Sequence, residues 1–314
     1  MIDREQGQRS SVEGTNRLGV IAPMRTAFVV VTVLPLFALP LPARQAPAQG
    51  RGGGQPVQPI QAVKPGLYVV PGGGSNSIVR VTSAGAVLVD TKLPGQANYD
   101  GLVAQIRTVT DQPVKIVAVT HHHADHTGNN DRFIAAGAQV VGHEQLSENL
   151  KSYQFDPRPA PPTLAYKGQA HPIALGGAEI RVLHLGRSHT GGDSIVYYPD
   201  LKVVATSDAV TVGAGGPLVD YAGGGSALEW RRVLDEMLKL DFDTAIPGAG
   251  PVLTRADVVA FQTRFNTVID RAVELIRKGV PKEQLLAQIK TDDIGWALRI
   301  PQVDAFYEEL SRRQ

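Results

Sequence analysis

The chain has 314 residues, 43% of them hydrophobic and 19% charged, a composition that suits a globular protein with a sizeable core and argues against wholesale disorder. Its formal net charge of +1 comes from scattered residues and leaves no electrostatic footprint for a nucleic acid. Cysteine is absent, which excludes disulfides and thiolate ligands together, so any metal must be held by imidazoles and carboxylates.

Arg25 precedes an apolar run from Thr26 to Pro42 and then the small-residue triplet Ala46-Pro47-Ala48, the order of a signal peptide. The run is shorter than the ~20 residues a spanning helix needs, and Pro35, Pro40 and Pro42 interrupt it. Cleavage after Ala48 is expected, with Ala43 as a second site, leaving no stable membrane span and a periplasmic or secreted protein. An uncleaved anchor is the competing reading, and Met24 competes with Met1 as the true start. Residues 49–60 open with QGRGGGQPVQ, which offers too little apolar surface to offset the entropy of ordering, so they read as a flexible linker before one domain over 61–314.

Three β-branched runs, Leu67 to Val70, Ser77 to Thr82 and Ala86 to Asp90, read as a meander. Leu102, Val103, Ile106 and Val109 have helical spacing within Asn98 to Thr110, and Val114 to Thr120 is a compact strand. A helix at Asn130 to Ala136, a strand at Gln139 to Val141 and a helix at Glu144 to Lys151 follow. The prolines at 157, 159, 161 and 162 require a loop, expected to border a substrate cleft. Strands are expected again at Glu179 to Leu185, Ser194 to Tyr198, Lys202 to Thr206 and Thr244 to Pro247, with an amphipathic helix over Ala227 to Leu240. The remainder reads as helices at Arg255 to Lys278, Lys282 to Ile289 and about Gln302 to Arg312. Helices both between and outside the strands predict a layered α/β fold.

The chemistry is concentrated after the Val114 to Thr120 strand, in His121-His122-His123-Ala124-Asp125-His126. Imidazoles at i and i+2 point the same way, so His121 and His123 can share one tetrahedral ion. Asp125 and His126 lie where the chain turns and can reach a second position a few ångströms away. Asn129 is placed to cap the helix that follows. A closed ligand set must draw on several loops. Two such loops follow: His189 in GRSHTGGD, placed to complete a three-histidine site, and Asp208 in ATSDAV, whose two oxygens can bridge two ions. His122 alternates away from the metal face, and His143, His171 and His184 lie in no matching motif.

HHHADH, GRSHTGGD and ATSDAV, in that order and at strand ends, resemble the metallo-β-lactamase fold superfamily over about Pro65 to Pro251. The resemblance implies a four-layer αββα sandwich with C-terminal helices and a metal site at one edge. It implies a first ion, zinc, on His121, His123 and His189, and a second on Asp125, His126 and Asp208, with Asp208 bridging. One position departs: the family's last motif histidine is Ala249 in Pro247-Gly248-Ala249-Gly250. The second site is therefore expected to be weak or absent, or to take Mn2+ or Fe in place of zinc.

The implied activity is hydrolysis of an ester, lactone, thioester, lactam or phosphodiester bond of a small molecule by a hydroxide that the metal supplies. Asp125 and His126 would move protons. Asp208, where many β-lactamases of this fold carry Cys or Ser, points away from a dedicated β-lactamase. The segment Val219-Asp220-Tyr221-Ala222-Gly223-Gly224-Gly225-Ser226 resembles an exported branch of hydrolases, which makes Tyr221 a candidate substrate contact. The rival is a non-catalytic metal- or ligand-binding protein on the same fold.

Overall fold

The computed structural model describes residues 54–152, 157–213, 215–298 and 300–312. The leader, its expected cleavage point after Ala48 and the start of the linker lie outside the described residues. No helix among those described is long and apolar enough to cross a membrane.

Seven strands form the first sheet: β1 (Gln61–Lys64), β2 (Leu67–Val70), β3 (Ser77–Thr82), β4 (Gly85–Val89), β5 (Val114–Ala118), β6 (Gln139–His143) and β7 (Leu164–Tyr166). They pair in chain order, antiparallel as far as β4 and parallel from β4 to β7. The second sheet holds β8 (Ala170–Leu175), β9 (Ala178–Leu183), β10 (Ile195–Tyr198), β11 (Val203–Ser207), β12 (Thr244–Pro247) and β13 (Leu253–Thr254), also in sequence order. The parallel steps need crossovers, which α1 (Gln96–Arg107), a short turn α2 (Ala124–Thr127), α3 (Asn130–Ala135) and α4 (Glu144–Ser152) supply. Helices α5 (Ala227–Met237), α6 (Arg255–Arg277), α7 (Lys282–Gln288) and α8 (Val303–Ser311) belong to the second sheet's half.

Alternation along the strands separates the layers. On β4, Val87 and Val89 join the cluster between the sheets, whereas Ala86 and Leu88 pack with Leu102 and Ile106 of α1. On β10, Val196 and Tyr198 point between the sheets, and Ile195 and Tyr197 join Trp230 and Phe265 of the helical side. The result is the expected αββα sandwich with C-terminal helices. Each fully buried Leu, Ile, Val or Phe contributes about 1.5–3 kcal/mol, and three such clusters hold the four layers together.

Several expectations are corrected. The linker is anchored before residue 61: Gly73 donates to Gln55, Gln58 to Pro71, and the Ile60 amide to the Gln105 side chain. Asn129 stands at the N-cap of α3, but its side chain makes no cap hydrogen bond; its Nδ2 donates to the Thr91 and Leu93 carbonyls instead. The described part of the proline-rich loop packs Pro162 beneath Gly142 and accepts from Asn130 at Ala160, and it lines neither cavity at the site. Strand β8 escaped the pattern because it carries Pro172, which an edge strand tolerates.

Where the sheets meet beyond β6 and β9, the His143 and His184 rings stack, with centroids 3.8 Å apart and planes 13° from parallel. Burial, then repulsion from His184, lowers the His143 pKa from 6.5 to about 4. A folded-state value below the unfolded one gives stability that is full above about pH 6.5 and is lost as pH falls toward 4. His143→Gln is expected to flatten the dependence of the unfolding free energy on pH across this window; parallel profiles in denaturant titrations would contradict the assignment.

Candidate metal centre

The site lies where strand ends of both sheets open into loops. Strand β5 delivers Thr120 and the histidines, β4 delivers Asp90, β11 delivers Ser207 and Asp208, and the loop after β9 delivers His189. His121, His123 and His189 converge: His121 Nε2 is 3.1 Å, and His189 Nε2 3.0 Å, from His123 Nδ1. The structure brings together the three rings that the sequence spacing pairs, with His123 presenting Nδ1 where the others present Nε2.

The opposite nitrogens settle which atoms carry protons. His189 Nδ1 faces the Leu218 carbonyl at 2.7 Å and must donate to it. His123 Nε2 faces the Asp220 carboxylate at 3.0 Å and donates likewise. The Thr120 hydroxyl spends its one proton on Asp90, at 2.8 Å, so its oxygen accepts from His121 Nδ1 at 3.2 Å. All three nitrogens in the centre therefore present lone pairs to one another. Burial, followed by repulsion from the surrounding imidazoles, holds His121 well below its ordinary pKa, so its ring stays neutral. Facing lone pairs at 3 Å repel in the dry interior, and a cation between them removes the conflict.

A second group adjoins the first. His126 Nδ1 is fixed on Asp90 at 2.7 Å, leaving Nε2 turned toward Asp125 at 3.5 Å and Asp208 at 3.7 Å. Burial disfavours the imidazolium, but the carboxylates of Asp125, Asp90 and Asp208 outweigh it and push the His126 pKa up to about 10. The pocket thus attracts positive charge, as a proton or as a metal. The two Asp208 oxygens divide between the groups, Oδ2 standing 3.6 Å from His189 Nε2 and Oδ1 facing His126. That is the arrangement of a bridging carboxylate. A cavity of about 210 Å³ opens beside it, lined by Asp125, Asp208, Thr211, Val212 and Gly248–Gly250. Ala249 contributes only a methyl group to this wall.

Two glycines permit the approach. Gly74 adopts φ +106°, and a Cβ there would stand 2.7 Å from that of Asp125; a Cβ at Gly248 would collide with the Asp208 carboxylate. The intervening loop is clamped to both sides of the site. The Ser75 hydroxyl donates to the Asp125 carbonyl at 2.6 Å, the Asn76 amide to Gly248 at 2.6 Å, and buried Lys92 to the carbonyls of Val70 and Ser75. Burial, against attraction from Asp90, brings the Lys92 ammonium down to about 7.

Not every expected residue joins the centre. Tyr221 is turned to α8, its hydroxyl donating to Glu309 at 2.6 Å, and it lines neither cavity. His143, His171 and His184 stand in none of the metal-capable groups of the described residues. His122 is not wholly apart: it lies behind His123 with Nε2 3.7 Å from Asp220, and Asn149 Nδ2 contacts its Nδ1 at 3.3 Å. Asp90 and Asp220 were missed as functional residues. Each carries a signal in the sequence: Asp90 is the carboxylate ending a buried strand, and Asp220 directly precedes Tyr221.

The family model of the metallo-beta-lactamase superfamily matches residues 70–249. The alpha subunit of 2,4-dinitroanisole O-demethylase from Nocardioides sp. (strain JS1661) is 24% identical over 227 residues, 72% of this chain and 68% of that protein. Metallo-beta-lactamase IND-1 from Chryseobacterium indologenes is 29% identical over 130 residues, 41% of this chain and 52% of its own. A metallo-beta-lactamase from Pontibacter korlensis shares the fold with a TM-score of 0.59 at 19% identity, covering 67% of this chain and 99% of that one. With the sandwich, the order of the motifs and the converging histidines in agreement, this chain belongs to the metallo-beta-lactamase superfamily.

Proposed function

We propose that the protein is an exported metal-dependent hydrolase that cleaves an ester, lactone, thioester, lactam or phosphodiester bond of a small molecule. The observation that carries this reading is the set of three imidazole lone pairs from His121, His123 and His189 aimed at one point. Three imidazoles whose ring nitrogens converge within reach of one ion suit zinc. On the other side the metal-capable group of the described residues is His121, His126 and Asp208, with Asp125 Oδ2 3.5 Å from His126 Nε2; Asp125, His126 and Asp208 would hold a second, weaker ion, with Mn2+ or Fe as alternatives suited to oxygen-rich donors. When bound, zinc would lower the pKa of water into the neutral range and polarise the electrophile.

The chain's own groups do the rest. Asp125, at the cavity wall, orients the attacking water and takes its proton; His126, held as the imidazolium beside Asp90, gives a proton to the leaving group and is recharged from Asp125. Asp220 and the Leu218 carbonyl fix the tautomers of His123 and His189, so the ligands wait in the geometry they use. Tyr221 supports this site from behind by holding α8. The substrate is not fixed by the motifs, because one fold hosts many chemistries chosen by its loops.

A chromogenic panel of lactone, thioester, lactam and phosphodiester substrates, run with added zinc or manganese beside His121→Ala, tests the reading. The variant is expected to lose at least about 100-fold in rate; equal rates would make the chain a binding protein on this fold. Asp220→Asn is expected to weaken zinc by about 10–100-fold, measured by competition with a chromophoric chelator, and unchanged affinity would remove Asp220 from its tautomer-fixing role. Dialysed wild type should retain one equivalent of metal by elemental analysis and Ala249→His two. Two equivalents in the wild type would show that the missing imidazole does not matter.

A further inference from the structure

The loop that carries Asp220 has almost no side chains with which to hold itself. Between Tyr221 and Ser226 it reads Ala222-Gly223-Gly224-Gly225, nothing larger than a methyl group, and glycine loses the most backbone freedom on ordering. Nor is there room for a side chain at its end, because a Cβ at Gly225 would stand 2.5 Å from the carbonyl oxygen of His189. The Asp220 amide donates to that same carbonyl at 2.8 Å, and the Ser226 amide to the carbonyl of Ser188 at 3.1 Å. The loop therefore lies on the backbone of one candidate ligand, while the Asp220 carboxylate holds Nε2 of another, His123.

Both ends of this stretch are fastened to one distant side chain. Glu309 of α8 accepts from the Tyr221 hydroxyl at 2.6 Å, from the Ser226 hydroxyl, and from the Ala227 amide at 3.0 Å, which belongs to the first turn of α5 and has no partner within its own helix. Hydrogen bonds to a carboxylate are roughly twice as strong as neutral ones, and here the anion also meets a helix N-terminus. Its base is rigid, since Phe306 and Leu310 of α8 are fully buried in the cluster that holds Trp230. Asn149 reaches the middle of the loop, its Nδ2 donating to the Gly223 carbonyl at 2.7 Å. Glu309 stands well past residue 249, where the match to the family model ends, so the tether comes from the helices that follow the matched region.

We propose that Glu309 is a positioning residue for His123, acting through Tyr221 and Asp220, and that α8 is thereby a working part of the metal centre. The inference rests on the metal-dependent reading and adds the residue that sets the aim of one ligand. Without the Glu309 carboxylate the Tyr221 end of the loop is released, Asp220 gains freedom, and His123 loses the fixed acceptor that keeps its Nδ1 lone pair in place.

The test reads ring protons in metal-free, full-length protein with isotope-labelled histidines. Two imidazole N–H groups sit on buried carboxylates, His123 Nε2–H on Asp220 and His126 Nδ1–H on Asp90. Each is expected to give a low-field proton resonance, assigned by its loss in Asp220→Asn or Asp90→Asn. Glu309→Ala is expected to broaden the His123 resonance through exchange with water and to leave that of His126 sharp. Glu309→Gln, whose carbonyl oxygen still accepts from Tyr221 and Ala227, should restore it, and Tyr221→Phe should reproduce part of the alanine effect. With zinc added, Glu309→Ala should weaken binding about tenfold in chelator competition, with no further loss when combined with Asp220→Asn. A His123 resonance unchanged in Glu309→Ala overturns the proposal. So does loss of both resonances together, which would mark a general loosening, or zinc losses that add in the double variant. A wild type that binds no zinc and hydrolyses nothing would fail the functional reading, whereas the metal-free resonances decide the role of Glu309 by themselves.

Discussion

Like electron pairs do not choose to face one another in a protein interior. The structure nevertheless forces three of them together, because the far side of each imidazole is already committed: His189 to a carbonyl, His123 to Asp220 and His121 to the Thr120 hydroxyl. Asp220 and Thr120 are buried and Leu218 is half-buried, so water gives the arrangement little relief. The resulting centre is unfavourable when empty and favourable around a cation. The same logic continues on the other side, where Asp90, Asp125 and Asp208 surround a single imidazole and hold it positive.

Keeping these groups in register is the task of the two sheets. Side chains alternating on β4 and β10 bind each sheet to its neighbour on one face and to helices on the other, which leaves the loops beyond the strand ends little freedom. Non-glycine residues in the left-handed region cluster at those ends: Asp90 at φ 60°, Lys92 at 70° and Ser207 at 47°. Such conformations cost on the order of 1–3 kcal/mol each, and they persist because Thr120 is tied to both Asp90 and Ser207. Trp230 extends the restraint outward, donating from its indole to the carbonyl of Ala209 beside Asp208.

The sequence displayed the candidate ligands because metal chemistry restricts residue types, and restricted types at strand ends stand out even in one chain. His121, His123 and His189 meet as their spacing suggested, and Asp208 divides its oxygens as a bridge would. The supporting carboxylates were harder to see, since a lone Asp after a strand has many uses and its partner lies tens of residues away. Tyr221, made a candidate substrate contact by the resemblance of its segment, gives its hydroxyl to Glu309, 88 positions on, a partner that no local pattern signals. Long helices were legible from periodicity, whereas β7, with three residues, and β13, with two, are too short to carry any period.

The perimeter of the sandwich has a consequence of its own. An outermost strand exposes a row of unused amide and carbonyl groups that invites another chain to add on. Here the four outer strands are β1, β7, β13 and β8; the first three run to four, three and two residues, and the fourth places Pro172 in its middle. Strands this brief, or lacking a donor at the centre, give a recruit nothing continuous to zip along. Molecules of this chain can therefore collide at high concentration without templating one another into fibrils through their borders.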